Sequence, residues 1–177
     1  MVCINGAGGV GKYSFIDFCQ NVSHTCDTQI ENFSTIDIVR QAGQLLGCTD
    51  KSEKSRKFIS DLKDLATEYN NHSRVYIEKQ IKDLWKSNGS STIIFVHSRE
   101  PKQISEFEEY FVKNGIVDNF LSVLVSSSRV KRITTNYDYD YDYYIQNDRG
   151  LDELRSKAKV FVDFVNSKFF TDHKGEC

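Results

Sequence analysis

Short apolar runs alternate along the chain with longer stretches whose apolar residues recur at helical spacing. Apolar runs lie at residues 1–4, 92–97 and 120–125, and a more polar one lies at 29–33. Runs of this length, bounded by turn residues, are typical of buried strands. Apolar positions that recur every three or four residues predict amphipathic helices. The pattern therefore predicts strands that alternate with helices.

Helical spacing accounts for most of the chain between the strands. It predicts helices at about residues 12–22, 34–46, 50–71, 73–87, 101–114 and 151–169, with Ser34 as the N-cap of the second. No pair of strands is joined by a two-residue turn, so the strands are expected to be parallel. We therefore predict a three-layer α/β/α fold with a five-stranded parallel sheet, in a single domain over residues 1–177.

A run that alternates tyrosine and aspartate follows the fourth strand and its loop. Between residues 137 and 143, an extended backbone places the tyrosines on one side and the aspartates on the other. An edge strand with its aromatic face packed under a helix explains the run without any function. A metal site built from the three aspartates is the alternative.

A glycine-rich stretch follows the first strand. The ten residues from Asn5 to Ser14 contain four of the ten glycines, and Gly6 and Gly11 bracket four residues directly before Lys12. In a strand–loop–helix context this spacing is that of a P-loop, in which backbone amides and the helix N-terminus bind phosphates. The residues expected to contact the nucleotide here are Gly6, Ala7, Gly8, Gly9, Val10, Gly11, Lys12, Tyr13 and Ser14. The alternative is a tight strand–helix turn without a ligand.

The position after Lys12 departs from the usual pattern. Tyr13 stands where a serine or threonine hydroxyl normally meets magnesium, and Ser14 comes one residue later. The stretch resembles that of small P-loop kinases of phosphorylated metabolites. Among these, phage-type deoxynucleoside monophosphate kinases carry Gly-Lys-Asp-Thr, with the hydroxyl likewise displaced. The resemblance implies ATP and Mg²⁺ as cofactors, with Lys12 at the outer phosphates and Ser14 as the metal ligand.

Arginines follow two of the predicted strands. Arg99 comes directly after the central strand, in a segment similar to the one that delivers an arginine to the acceptor phosphate in deoxynucleoside monophosphate kinases. Arg129 and Arg132 occupy the place of the lid in this family, where arginines neutralise the phosphoryl group in flight. The resemblance implies catalytic roles for all three, together with Lys12. Surface positions in solvated loops are the alternative.

The same resemblance implies an acceptor pocket and a base contact. Ser34 and Arg40 lie where the acceptor pocket begins in the family, and Arg56 lies on the helix that covers the acceptor. Arg99 is expected to line this pocket as well. Residues 144–148 resemble the last strand of these kinases, whose turn into the final helix lies against the adenine. Asn147 is therefore expected to make a polar contact with the base.

Composition limits the classes of partner. The net charge is −2, so nothing indicates nucleic acid or an anionic membrane surface as a partner. Five scattered cysteines without a Cys-x-x-Cys pair favour reduced thiols, and no leader segment is visible, so we expect a cytoplasmic protein, monomeric or homodimeric.

The expected reaction is phosphoryl transfer from ATP to a phosphorylated small molecule, a (deoxy)nucleoside monophosphate above all. A kinase of a non-nucleotide phosphorylated metabolite, and a P-loop module that binds nucleotide with little turnover, are the alternatives.

Overall fold

The computed structural model describes residues 1–23, 28–87, 92–98, 100–130 and 139–170. Its strands are β1 (Val2–Asn5), β2 (Gln29–Ser34), β3 (Thr92–His97), β4 (Leu121–Ser126) and β5 (Tyr143–Gln146). Its helices are α1 (Lys12–Ser23), α2 (Asp37–Leu45), α3 (Glu53–Asn70), α4 (His72–Ser87), α5 (Pro101–Lys113) and α6 (Leu151–Phe169). The predicted alternation of strands and helices is confirmed.

The five strands form one parallel sheet in the order β2-β3-β1-β4-β5. Ile4 of β1 pairs with His97 of β3, and Ser126 of β4 pairs with Gln146 of β5. The carboxyl ends of these strands therefore meet at one edge of the sheet. In open α/β sheets this is the edge where ligands bind.

Both faces of the sheet are buried, which confirms the predicted α/β fold. On one face, strand residues such as Ile4 and Phe95 pack in a core with α1 and α6, where the rings of Phe15 and Phe161 lie 5.4 Å apart. Alternate strand residues point to the other face, and Ile94 and Leu124 are buried there. The apolar side of α5 is also buried, at Ile104, Phe107 and Phe111.

The chain divides into two compact units. The first comprises Met1–Asn32 and Asn88–Cys177 and contains the glycine-rich loop; the second is Phe33–Ser87. Within the second unit, α3 contacts both α2 and α4. Gly43 of α2 allows close packing there, because a Cβ at this position would lie 2.3 Å from Cδ1 of Ile59. That residues 1–177 form a single domain stays a prediction.

Two local predictions are wrong. Ser34 does not cap a helix, because it is the last residue of β2, and α2 begins at Asp37 after Ile36. Residues 139–142 are not part of a strand, and β5 begins only at Tyr143. The reason is that Asp142 bonds to β4 through its side chain: its Oδ2 accepts hydrogen bonds from the backbone N–H and the hydroxyl of Ser122.

The rest of the tyrosine–aspartate run is structural where it is described. Tyr143 lies at the sheet edge and packs against Phe161 and Phe164 of α6, as expected for an aromatic face under a helix. Among the described residues, no group of three acidic, histidine or cysteine side chains could hold a metal ion. Tyr137 and Asp138 lie outside the described residues.

The described part of the chain contains no helix long and apolar enough to cross a membrane. Cys3 and Cys19 are buried free thiols, and burial raises the pKa of both well above the ordinary range. This agrees with the expectation of reduced thiols.

Candidate functional site

The loop between β1 and α1 curls through three glycines in conformations that other residues rarely adopt. Gly6, Gly9 and Gly11 have φ angles of 142°, 83° and 99°. Such turns point successive backbone N–H groups towards one point, which creates a nest for an anion. The loop leads directly into α1 at Lys12, so the positive end of a 12-residue helix faces the same place. The loop therefore has the geometry of a phosphate-binding site.

Close packing holds the loop against its neighbours. A Cβ at Gly6 would lie 2.3 Å from the backbone oxygen of Val125, and a Cβ at Gly11 would lie 2.5 Å from Nδ2 of Asn147. Real Cβ atoms do not approach other atoms so closely. The start and the end of the loop therefore both require glycine, whereas Gly8 has no atom within 4 Å of its Cβ position.

Gly6→Ala should therefore destabilise the fold, and Gly8→Ala should not. Because the clash at Gly6 is with backbone and adds to a positive φ, we expect a loss of about 3 kcal/mol. That loss lowers the melting temperature by roughly 6–12 °C for a chain of this size. Thermal unfolding followed by circular dichroism measures it. Equal melting temperatures for the two variants would contradict this loop geometry.

Lys12 folds back over the loop. Its Nζ donates hydrogen bonds to the backbone oxygens of Gly6, at 2.5 Å, and Ala7, at 2.9 Å. The ammonium group thus lies against the backbone of the glycine-rich loop. A positive charge held there can move from these carbonyls to phosphate oxygens of the same loop-bound ligand.

Asn5 supports the beginning of the loop, a role that was not predicted from the sequence. This fully buried residue accepts a hydrogen bond from the N–H of Gly6 at 2.6 Å and donates one to the Tyr141 hydroxyl at 2.7 Å. Burial raises the pKa of Tyr141 to about 12, so the phenol stays protonated. A polar residue at the end of an apolar strand is the sequence signal that could have identified Asn5.

Asn147 lies under the end of the loop, directly after β5. Its Nδ2 donates a hydrogen bond to the backbone oxygen of Val10 at 2.9 Å, and its own N–H bonds to Ser126. Only 8% of the residue is exposed, and its Oδ1 has no hydrogen-bond partner among the described atoms. Asn147 therefore supports the end of the glycine-rich loop through its bond to Val10. Its predicted contact with a nucleotide base stays a prediction.

Arg129 bonds to the turn after β5. Its Nη2 donates to the backbone oxygen of Asn147 at 2.9 Å, and its Nε donates to Oγ of Ser127 at 3.4 Å. Asp148 reinforces the turn by accepting hydrogen bonds from Ser128 and Gln146. The bond from the backbone of Ser128 is the main cause of a lowered pKa at Asp148. Arg129 therefore lies close to the residue that supports the loop, and its role in catalysis stays a prediction.

The remaining predicted site residues lie outside the described residues or in the second unit. Arg99 and Arg132 lie outside the described residues. Ser34, Arg40 and Arg56 belong to the second unit: Ser34 is buried, Arg40 forms an exposed ion pair with Asp37 at 3.2 Å, and Arg56 is exposed on α3. The roles predicted for all five stay predictions.

The two positions that normally provide magnesium ligands in P-loop NTPases do not fit the ion here. Those positions are a hydroxyl residue after the loop lysine and an aspartate of the Walker B strand. In this chain Tyr13 follows the loop lysine, and His97 ends β3, the strand beside β1. The two rings stack at 4.6 Å with 25° between the planes. Neither provides the small oxygen ligand that Mg²⁺ prefers. Ser14 is half-buried in the first turn of α1, and its role as a metal ligand stays a prediction.

The chain is similar to a solved structure of a cysteine-to-alanine mutant of the Mycobacterium tuberculosis APS kinase CysC. The sequences are 17% identical, the TM-score is 0.49, and the match covers 93% of this chain and 95% of that chain. No protein family matches the sequence. No curated protein matches it either.

Proposed function

We propose that this chain is a P-loop kinase that transfers the γ-phosphoryl group of ATP to a phosphorylated small molecule, a (deoxy)nucleoside monophosphate. One observation carries the proposal: three positive-φ glycines and Lys12 converge on one point at the N-terminus of a helix. This arrangement provides backbone donors, a helix dipole and a mobile cation for the same anion. Few ligands other than a polyphosphate use all three.

The chemistry follows from positions and charges. Phosphoryl transfer requires in-line placement of donor and acceptor and stabilisation of charge on the transferred group, rather than a covalent step by the protein. Loop amides and Lys12 would hold the β and γ phosphates. Arg99 would bind the acceptor phosphate, and Arg129 or Arg132 would neutralise the group in flight. Magnesium is the expected counter-ion of ATP. The roles of the loop, Lys12 and the arginines do not depend on where the ion binds.

A second candidate is a nucleotide-binding module with little turnover. The stack of Tyr13 on His97 favours it, because it leaves the usual metal-binding positions without their usual ligands. Both candidates share the phosphate loop, and they differ only in whether the bound ATP transfers its phosphoryl group.

A substrate screen separates the candidates. The purified chain should convert ATP to ADP when it is incubated with the common ribo- and deoxyribonucleoside monophosphates one at a time, and phosphorus NMR should show the new diphosphate. A matched set of phosphorylated alcohols tests the non-nucleotide kinase. Binding of ATP without product from either set indicates the module with little turnover. Absence of ATP binding at millimolar concentration would contradict the phosphate-loop assignment itself.

A further inference from the structure

Two aromatic rings are stacked beside the phosphate loop. Tyr13 is the first residue after Lys12, and His97 ends β3, the strand that pairs with β1. Their ring centroids are 4.6 Å apart, and Tyr13 remains 54% exposed. Two residues that lie far apart in the sequence thus form one stacked unit at the carboxyl edge of the sheet.

The stack occupies both positions that bind metal in other P-loop NTPases. There, a hydroxyl after the lysine and a Walker B aspartate direct oxygen atoms at Mg²⁺. Mg²⁺ requires near-octahedral oxygen ligands at short distances and keeps its waters when it lacks them. A phenol and an imidazole stacked on each other do not provide such a pair.

Other oxygen atoms at this edge already have structural partners. Oδ1 of Asn5 accepts the N–H of Gly6 at 2.6 Å, and the hydroxyl of Ser98 donates to Oε1 of Gln103 at 2.9 Å. Ser98 is also buried, with an exposed fraction of 3%. The first carboxylate after β3 is that of Glu100, at the N-cap of α5. The side-chain oxygens of Asn5 and Ser98, at the described ends of β1 and β3, are therefore already engaged in structural hydrogen bonds.

We propose that the Tyr13–His97 stack replaces the protein's magnesium ligands, so that this chain binds ATP through loop amides and Lys12 with an affinity nearly independent of magnesium. Metal then stays on the phosphates with its own waters. The inference rests on the proposed function, because it requires ATP at the loop. It differs from the expectation drawn from nucleotide kinases, in which Ser14 is the metal ligand. Ser14 follows Tyr13 by one residue, so the two positions are about 100° apart around the helix axis.

Calorimetric titration with ATP, in magnesium and in EDTA, tests the proposal. For the wild-type chain and for Tyr13→Phe, which keeps the ring, we expect dissociation constants that agree within about threefold between the buffers. The double variant Tyr13→Thr with His97→Asp restores both ligand types. Its affinity should become at least about tenfold higher in magnesium than in EDTA, as expected when an ion gains direct protein ligands.

Three other results would overturn the inference. A wild-type chain that binds ATP at least about tenfold more tightly in magnesium, with the difference removed by Ser14→Ala, overturns the inference and leaves the proposed kinase intact. A double variant as insensitive to magnesium as the wild type also overturns it. No ATP binding in either buffer overturns the proposed function and this inference together. Tyr13→Thr alone, at a half-exposed position, provides the comparison if the double variant does not fold.

Discussion

Replacing Lys12 by alanine should remove most ATP binding and nearly all phosphoryl transfer. The Lys12 ammonium bonds to two carbonyls of its own loop, at 2.5 and 2.9 Å, and is the positive side chain within that loop. ATP at a hundredfold excess over its dissociation constant stabilises a folded protein by about 2.7 kcal/mol. For a chain of this size that raises the melting temperature by roughly 5–11 °C. Lys12→Ala should remove most of this rise and lower kcat by about a hundredfold to a thousandfold.

The matched control is Lys113→Ala. Lys113 lies in the same unit, at the end of α5, and pairs only with Glu109 on the surface among the partners described for it. Its replacement should leave the ATP-dependent shift intact. The melting temperature of Lys12→Ala without ATP should stay within a few degrees of the wild type, because an exposed or half-exposed lysine contributes little to folding. If Lys12→Ala keeps a full shift, the loop does not bind triphosphate.

Replacing the arginines beyond β3 and β4 should separate acceptor binding from catalysis. An arginine that holds the acceptor in the ground state and the transition state alike affects KM, whereas one that acts only in the transition state affects kcat. We expect Arg99→Ala to raise KM for the acceptor and to leave KM for ATP nearly unchanged. At least one of Arg129→Ala and Arg132→Ala should lower kcat by about a thousandfold, on the scale of arginine fingers. Steady-state kinetics with both substrates varied measures these effects.

Arg129 has a structural role that its kinetic test must allow for. Its guanidinium bonds to the backbone of Asn147, which supports the loop through Val10. If Arg129 acts only on this turn, Arg129→Ala should lower the melting temperature and change kcat by a few-fold at most. Arg155→Ala is the control for loss of an arginine contact away from the loop, because Arg155 lies on α6 over the ring of Phe18.

Unchanged acceptor kinetics in an active Arg99→Ala enzyme would contradict an acceptor site at the end of β3.

The sequence was sufficient for the elements and for the loop. Apolar residues at a period of two or of three to four identify strands and helices because burial on one face requires that spacing. Gly6 and Gly11 identify the glycine-rich loop because its backbone needs positive φ angles at both positions. The predictions that were wrong are local ones, at positions where contacts with other strands decide the structure. Asp142 bonds to Ser122 on β4, and Ser34 continues β2 rather than starting α2.

The supports of the loop were decided only by the tertiary structure. Asn147 and Val10 are 137 residues apart, and Asn5 and Tyr141 are 136 apart, so no local pattern pairs them. The same holds for the stack of Tyr13 on His97, which depends on β3 lying beside β1. Sequence alone determined the glycine-rich loop between strand and helix, because its backbone requirements are local. The side chains that surround the loop depend on sheet order, because parallel strands bring distant residues to one edge.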